Sequence, residues 1–253
     1  MKAALLELLE YHVLLRKHLV DLLADLVDAR RIVREIRLLR QLRHETLRIF
    51  GDRLVGDADK EFVRKTMEDA LKGTFAGDAD AAMVDPILFG DFLQFPAILE
   101  ERNSGSCDIV RLYEDLQNEA TIKPVLEEVL EKYNSVHKAM NLVLFDDCLG
   151  HLVRVHRLMR LPRGNALLVG VGGSGKQSIT KLAAFTADVD VFSITPTRGY
   201  NEQLFREDLK GLYQQLAVKP TAFLFTDAHV AEEGFLELIN NMLTSGMVPA
   251  LYE

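Results

Sequence analysis

The sequence predicts an α/β fold: a parallel-sheet core around a glycine-rich loop, preceded by a mostly helical N-terminal half. Three short apolar runs, at 166–169, 189–194 and 222–226, alternate with helical patterns at about 177–187 and 202–216. That is the order of βαβ units. The segment Gly170-Val-Gly-Gly-Ser-Gly-Lys-Gln-Ser178 joins the first run to the first of these helices. Ahead of residue 161 the apolar residues recur instead at spacings of three and four, the helical period.

Residues 1 to about 48 read as helix. Leu8, His12, Leu15, Leu19, Leu22, Leu26, Ala29, Val33 and Ile36 form a heptad-like seam broken only by His12. A coiled-coil arm and a long helix packed in a bundle both fit, since four heptads are near the minimum for the former. Glycines and prolines punctuate residues 51–106. A helix is expected over 58–71, a loop at 77–80, an irregular connector at 89–92 and a turn at 103–106 that marks a subdomain boundary. Residues 108–161 return to helix. Pro124 opens one helix and a second covers about 136–159. On the second, Ala139, Met140, Val143, Leu144, Cys148, His151, Leu152, Val155 and Met159 share one stripe. His151 and His156 have no partner at ligand spacing and read as structural.

Composition narrows the function classes. Lys+Arg 30 against Asp+Glu 38 gives a net charge of −8, which argues against nucleic acid as the main partner. Two cysteines, Cys107 and Cys148, make no disulfide framework and fit a reducing compartment. No Cys/His cluster has metal-ligand spacing. The first residues briefly resemble a secretion signal, but Glu7 and Glu10 interrupt it. Asp21, Asp25 and Asp28 break the longest apolar stretch, well short of the roughly 20 residues that span a bilayer. The expectation is a soluble intracellular chain.

The chemistry lies in the loop at 170–178. Its glycines let the backbone curl so that successive N–H groups point at a phosphate. The helix that follows adds its positive N-terminal end, and Lys176 reaches the β- and γ-phosphates as a point charge. The candidate nucleotide-binding residues are Gly170, Val171, Gly172, Gly173, Ser174, Gly175, Lys176, Gln177 and Ser178. The motif departs from GxxxxGK[ST] at Gln177, where a hydroxyl ordinarily holds Mg²⁺. Ser178 lies about 100° further round the helix and does not simply replace it. Gln177 offers the metal an amide oxygen, a less secure ligand. The second half of such a site is an apolar strand ending in acid. The run at 222–226 ends at Asp227, placed to hold Mg²⁺ through water. Ala228 follows where a hydrolysing site has a glutamate. Glu232 and Glu233 read as charges at the start of the next helix.

Arg163-Gly-Asn-Ala-Leu-Leu-Val-Gly-Val-Gly-Gly-Ser-Gly-Lys-Gln-Ser178 closely resembles the fourth AAA+ module of axonemal dynein heavy chains, nearest to inner-arm chains of the heavy chain 10 type. So do Thr197-Arg-Gly-Tyr-Asn201, Phe205-Arg-Glu-Asp-Leu-Lys210 and the stretch from Phe223 to Leu243. Met140-Asn-Leu-Val-Leu-Phe-Asp-Asp147 is similar to the segment leading into that module. Arg43-His-Glu45 with Phe50-Gly-Asp-Arg-Leu54 is similar to the end of the third.

The resemblance implies residues 1–106 as the end of the third module, with 1–38 unmatched, and 107–253 as the large subdomain of the fourth, cut short before the sensor strand and the small subdomain. It places Leu142, Val143, Leu144 and Phe145 near adenine and makes Asp227 the Mg-associated acid. It implies ATP or ADP with Mg²⁺ in a regulatory module that hydrolyses poorly or not at all. Its partners would be neighbouring AAA+ modules and, through the full protein, intermediate and light chains and microtubules, in a minus-end-directed motor of the ciliary or flagellar axoneme. Neither nucleic acid nor membrane is among them. Two alternatives stay open on the residues alone: a free-standing P-loop ATPase or kinase, with Arg198 and Arg206 as its candidate lid arginines, and a non-catalytic helical interaction fragment.

Overall fold

In a computed structural model the backbone is described at residues 31–75, 79–104 and 109–252. The seam at Leu8 to Ala29 and the loop residues Gly77 and Asp78 lie outside them. The chain divides into two compact units, Met1–Asp85 and Pro86–Glu253.

In the first unit, α1 (Arg31–Ile49) is followed by α2 (Asp57–Thr74) and the short α3 (Ala79–Ala82). The expected loop at 77–80 therefore ends in helix from Ala79. Ala79 and Ala82 are pulled into a small core with Leu39, Met67 and Leu71. Arg43 fastens the end of α3: its guanidinium donates to Val84 O at 3.1 Å and to Asp85 at 2.5 Å. The exposed face of α2 carries Glu61, Arg64, Glu68 and Lys72 at spacings of three and four, a solvated ion-pair ladder.

In the second unit, β1 (Phe89–Gly90) leads to α4 (Phe95–Ser104), and β2 (Glu114–Asp115) pairs back antiparallel with β1. The connector expected at 89–92 is thus partly strand, and all four of its residues are buried. Next come α5 (Glu119–Val136), α6 (Asp146–Arg160) and α7 (Lys176–Thr186). Together α4 to α7 enclose one core of Phe92, Phe95, Leu126, Leu149, Leu152 and Leu182 among others.

Two helix starts differ from expectation. Helix α5 begins five residues before Pro124, because Asn118 caps it by accepting from Thr121 N–H at 3.0 Å. The helix expected from 136 starts only at Asp146. Asn134 pins the intervening turn through both Met140 N–H, 2.9 Å, and Met140 O, 3.2 Å. Val143 and His151, expected on the buried stripe, are exposed.

A parallel pair, β3 (Asp190–Phe192) and β4 (Thr221–Phe223), follows, with Val191 opposite Ala222. The crossover α8 (Glu202–Leu216) connects them, and α9 (Gly234–Ser245) comes after β4. They surround a second core of Phe205, Leu209, Leu212, Phe235 and Leu238. The expected first strand, 166–169, forms no strand. β3 and β4 bond to each other, and no neighbour among the described residues offers this segment a ladder. Leu168 packs on the first core, while Leu167 and Val169 are 90% and 86% exposed. No helix among the described residues is long and apolar enough to cross a membrane.

Candidate functional site

Helix α7 opens at Lys176, directly after the glycine loop, and Asp227 follows the carboxyl end of β4. In open α/β sheets ligands bind at that carboxyl end. The loop from Gly170 enters α7 through two left-handed residues, Gly173 at φ 78° and Gly175 at φ 79°, a conformation nearly free only to glycine. Gly172 differs: a Cβ there would meet nothing within 4 Å. The chain's own packing does not require glycine at 172.

Lys176 folds over this loop. Its ammonium donates to Gly170 O and Val171 O, both at 2.7 Å, and to Ser174 Oγ at 3.2 Å. All three N–H donors are placed on groups of the loop itself. A bound phosphate would take over these contacts, exchanging neutral acceptors for charged ones. Gln177 projects to solvent from the first turn, and Ser178 is half-buried. Thr180 Oγ1 donates back to Lys176 O at 2.8 Å.

Leu142 lies beside the loop, 3.6 Å from where a Cβ on Gly175 would stand. The segment alternates as an extended chain does: Leu144 is buried and Leu142 packs on the first core, while Val143 and Phe145 are exposed. Leu142 is the member of this segment in contact range of the loop, while Val143 and Phe145 face outward.

Asp227 begins a single 3₁₀ turn, Asp227–His229, after β4, and is exposed together with Ala228. Thr226 N–H donates to His229 Nδ1 at 3.1 Å, so this ring carries its proton on Nε2 when neutral. Burial pushes the His229 pKa down against the pull of Asp227. Glu232 does not act at its own helix: it accepts from Glu202 N–H at 3.2 Å, at the start of α8. Arg206 is committed to Glu202, 2.8 Å, and to Pro249 O, 2.9 Å, whereas Arg198 is exposed on the turn after β3.

A buried polar cluster at the far end of α7 had no local signal in the sequence. His156 donates Nε2–H to Asp91 Oδ1 at 2.6 Å, and its Nδ1 meets Thr186 Oγ1 at 2.8 Å. Arg111 bridges Asp91 and Thr186 O, and Arg160 reaches Asp91 Oδ2 at 2.9 Å. Burial pushes Asp91 up, but His156, Arg111 and Arg160 outweigh it and hold the carboxylate low. Burial holds His156 below its ordinary value despite Asp91. The Asp91–His156–Thr186 chain has the order of a nucleophilic triad, yet Thr186 is fully buried. Its geometry serves to clip α7 to the β1 connector.

Comparisons with known proteins agree with this region. A family described as the P-loop containing dynein motor region D4 matches residues 140–253. The chain is 54% identical over 217 residues to dynein axonemal heavy chain 10 of Homo sapiens, covering 85% of this chain and 5% of that one. It is 54% identical over 218 residues to the dynein-1-alpha heavy chain, flagellar inner arm I1 complex, of Chlamydomonas reinhardtii, with the same coverage. Dynein axonemal heavy chain 6 of Homo sapiens is 40% identical over 231 residues, 89% of this chain and 5% of that one. The chain spans about one twentieth of the length of these relatives.

Proposed function

Since the chain belongs to the axonemal dynein heavy chains, we propose that it binds ATP or ADP at the loop 170–178 as a regulatory module of a microtubule motor. The observation that carries the reading is the loop's shape. Two left-handed glycines open α7 at Lys176, and an open approach remains at Gly172. Such a loop offers backbone N–H groups, a helix N-terminus and a lysine to an anion, which is what a nucleotide's phosphates need. The segment Leu142 to Phe145, with Leu142 beside the loop, supplies the apolar flank for the base. Mg²⁺ is held weakly, through water on Asp227 and the amide oxygen of Gln177. With Ala228 in place of a catalytic carboxylate, hydrolysis at this site is slow or absent, and bound nucleotide acts as a clamp between neighbouring AAA+ modules.

The reading extends to the rest of the fold. Residues 1–106 close the third module, apart from the unmatched 1–38, and residues 107–253 form the core of the fourth. The segment 166–169 becomes a strand of the parallel sheet when further polypeptide of the long heavy chain pairs with it. Intermediate and light chains and microtubules are partners of the whole protein, in the axoneme of a cilium or flagellum.

The test is an ADP and ATP titration of the chain beside its Lys176→Ala variant. Wild type is expected to bind and the variant to bind at least tenfold more weakly, about 1.4 kcal/mol. Equal binding by both overturns the assignment. Turnover by the chain on the order of 1 s⁻¹, ordinary for an enzyme, would favour a free-standing ATPase instead.

A further inference from the structure

We infer that this loop binds its nucleotide with little dependence on a divalent cation, and that Gln177 sets that property. The inference rests on the nucleotide reading above and concerns the metal alone. Mg²⁺ demands near-ideal octahedral oxygen geometry at about 2.0–2.1 Å and gives up its water reluctantly. A phosphate loop meets that demand with a short hydroxyl fixed to the first turn of its helix, directly after the lysine. Here that position holds Gln177, an exposed side chain with several torsions to freeze before its amide oxygen can serve.

No nearby hydroxyl substitutes. Ser178 sits about 100° away around α7 and is half-buried. Thr180 is turned back on Lys176 O at 2.8 Å. Ser174 Oγ accepts from the Lys176 ammonium at 3.2 Å. After β4, Asp227 is followed by Ala228 rather than by a second carboxylate. Among the described residues no three His, Cys, Asp or Glu side chains gather where they could hold a metal ion.

The phosphate-binding half of the site has no such gap. Its backbone turns are in place at Gly173 and Gly175, and Lys176 is already folded against the loop. These groups respond to negative charge. A nucleotide free of metal carries more of it than the Mg²⁺ complex, so removing the metal increases the attraction that these groups supply. The weak metal site and the intact anion site together define a pocket for the nucleotide itself.

The experiment is calorimetric titration of the 253-residue chain with ADP and with ATP, in millimolar Mg²⁺ and again in excess EDTA. Wild-type affinity is expected to differ by less than about threefold between the two buffers, and Gln177→Thr to bind at least tenfold tighter with Mg²⁺ than without. A wild-type loss of threefold or more in EDTA overturns the inference while leaving nucleotide binding intact. A Gln177→Thr variant as indifferent to Mg²⁺ as wild type overturns the role of residue 177. Absence of binding in both buffers sinks the nucleotide reading itself, and this inference with it.

Discussion

At the residue scale, buried charge governs the most sensitive positions of the second unit. Asp91 is compensated by His156, Arg111 and Arg160, drawn from two further segments. Replacing it by alanine leaves a buried imidazole and a largely buried guanidinium without their anion. A loss of about 3–5 kcal/mol is expected in denaturant unfolding. A loss under 1 kcal/mol would mean that solvent reaches the cluster and screens it. Gly164 is held by space rather than charge. A Cβ there would stand 1.9 Å from Leu158 O, a backbone atom. Gly164→Ala should destabilise by at least about 1–3 kcal/mol, read as a lowered melting temperature. Gln177, by contrast, faces solvent, and its substitutions should alter metal dependence while leaving stability within about 0.5 kcal/mol of wild type.

At the element scale, helix caps decide where helices begin more than apolar stripes do. Asn118 starts α5 and Asn201 starts α8, each accepting from the N–H three residues on. Asn118→Ala should cost about 1 kcal/mol in the same unfolding measurement. An unchanged midpoint would show that packing alone sets the start of α5. The segment 166–169 shows the converse. Its apolar run is that of a strand buried on both faces, yet without a bonded neighbour it leaves Leu167 and Val169 in water. Such an edge invites pairing with other chains. Val169→Lys should therefore reduce concentration-dependent association, seen by light scattering. Association unchanged in the variant would place the sticky surface elsewhere.

At the scale of the whole molecule, protons and ligands report on folding. His156 has its pKa lowered by burial, so the unfolded chain binds that proton more readily than the folded one. Its contribution to stability is fully present above the ordinary value of 6.5 and is lost as pH falls from there toward the depressed value. Asp91 adds a second loss as pH falls below its ordinary 3.8 toward its lowered value. Stability should decline in two acid phases, and His156→Gln should remove only the first. If the decline between pH 7 and 5 survives that substitution, another group is responsible. Nucleotide provides the complementary signal. ADP at a hundred times its Kd should raise the unfolding free energy by about 2.7 kcal/mol in wild type and by far less in Lys176→Ala.

Local chemistry was enough to read the glycine loop, the helices α7 and α8 and the two strands that pair. A phosphate loop is defined by backbone freedom at particular glycines and by a helix start, and both are written within nine consecutive residues from Gly170 to Ser178. The periods of α7 and α8 are equally local, as is the apolar run of β4 that ends near Asp227. Only the tertiary structure decided the rest. The strand nature of 166–169 depends on a hydrogen-bonding neighbour, which a period of apolar residues does not encode. The place of Val143 outside the core depends on where α6 starts, and Asn134 pins the turn before it by a side-chain contact to Met140, whereas His151 is exposed because the buried stripe of α6 runs through Leu149, Leu152, Val153 and His156. The meeting of Asp91, His156 and Thr186 joins residues far apart in sequence, so neither spacing nor composition foretold it. Burial and long-range pairing are properties of the assembled chain, and they determine which charges pair, which histidine stays neutral and which apolar run is left in water.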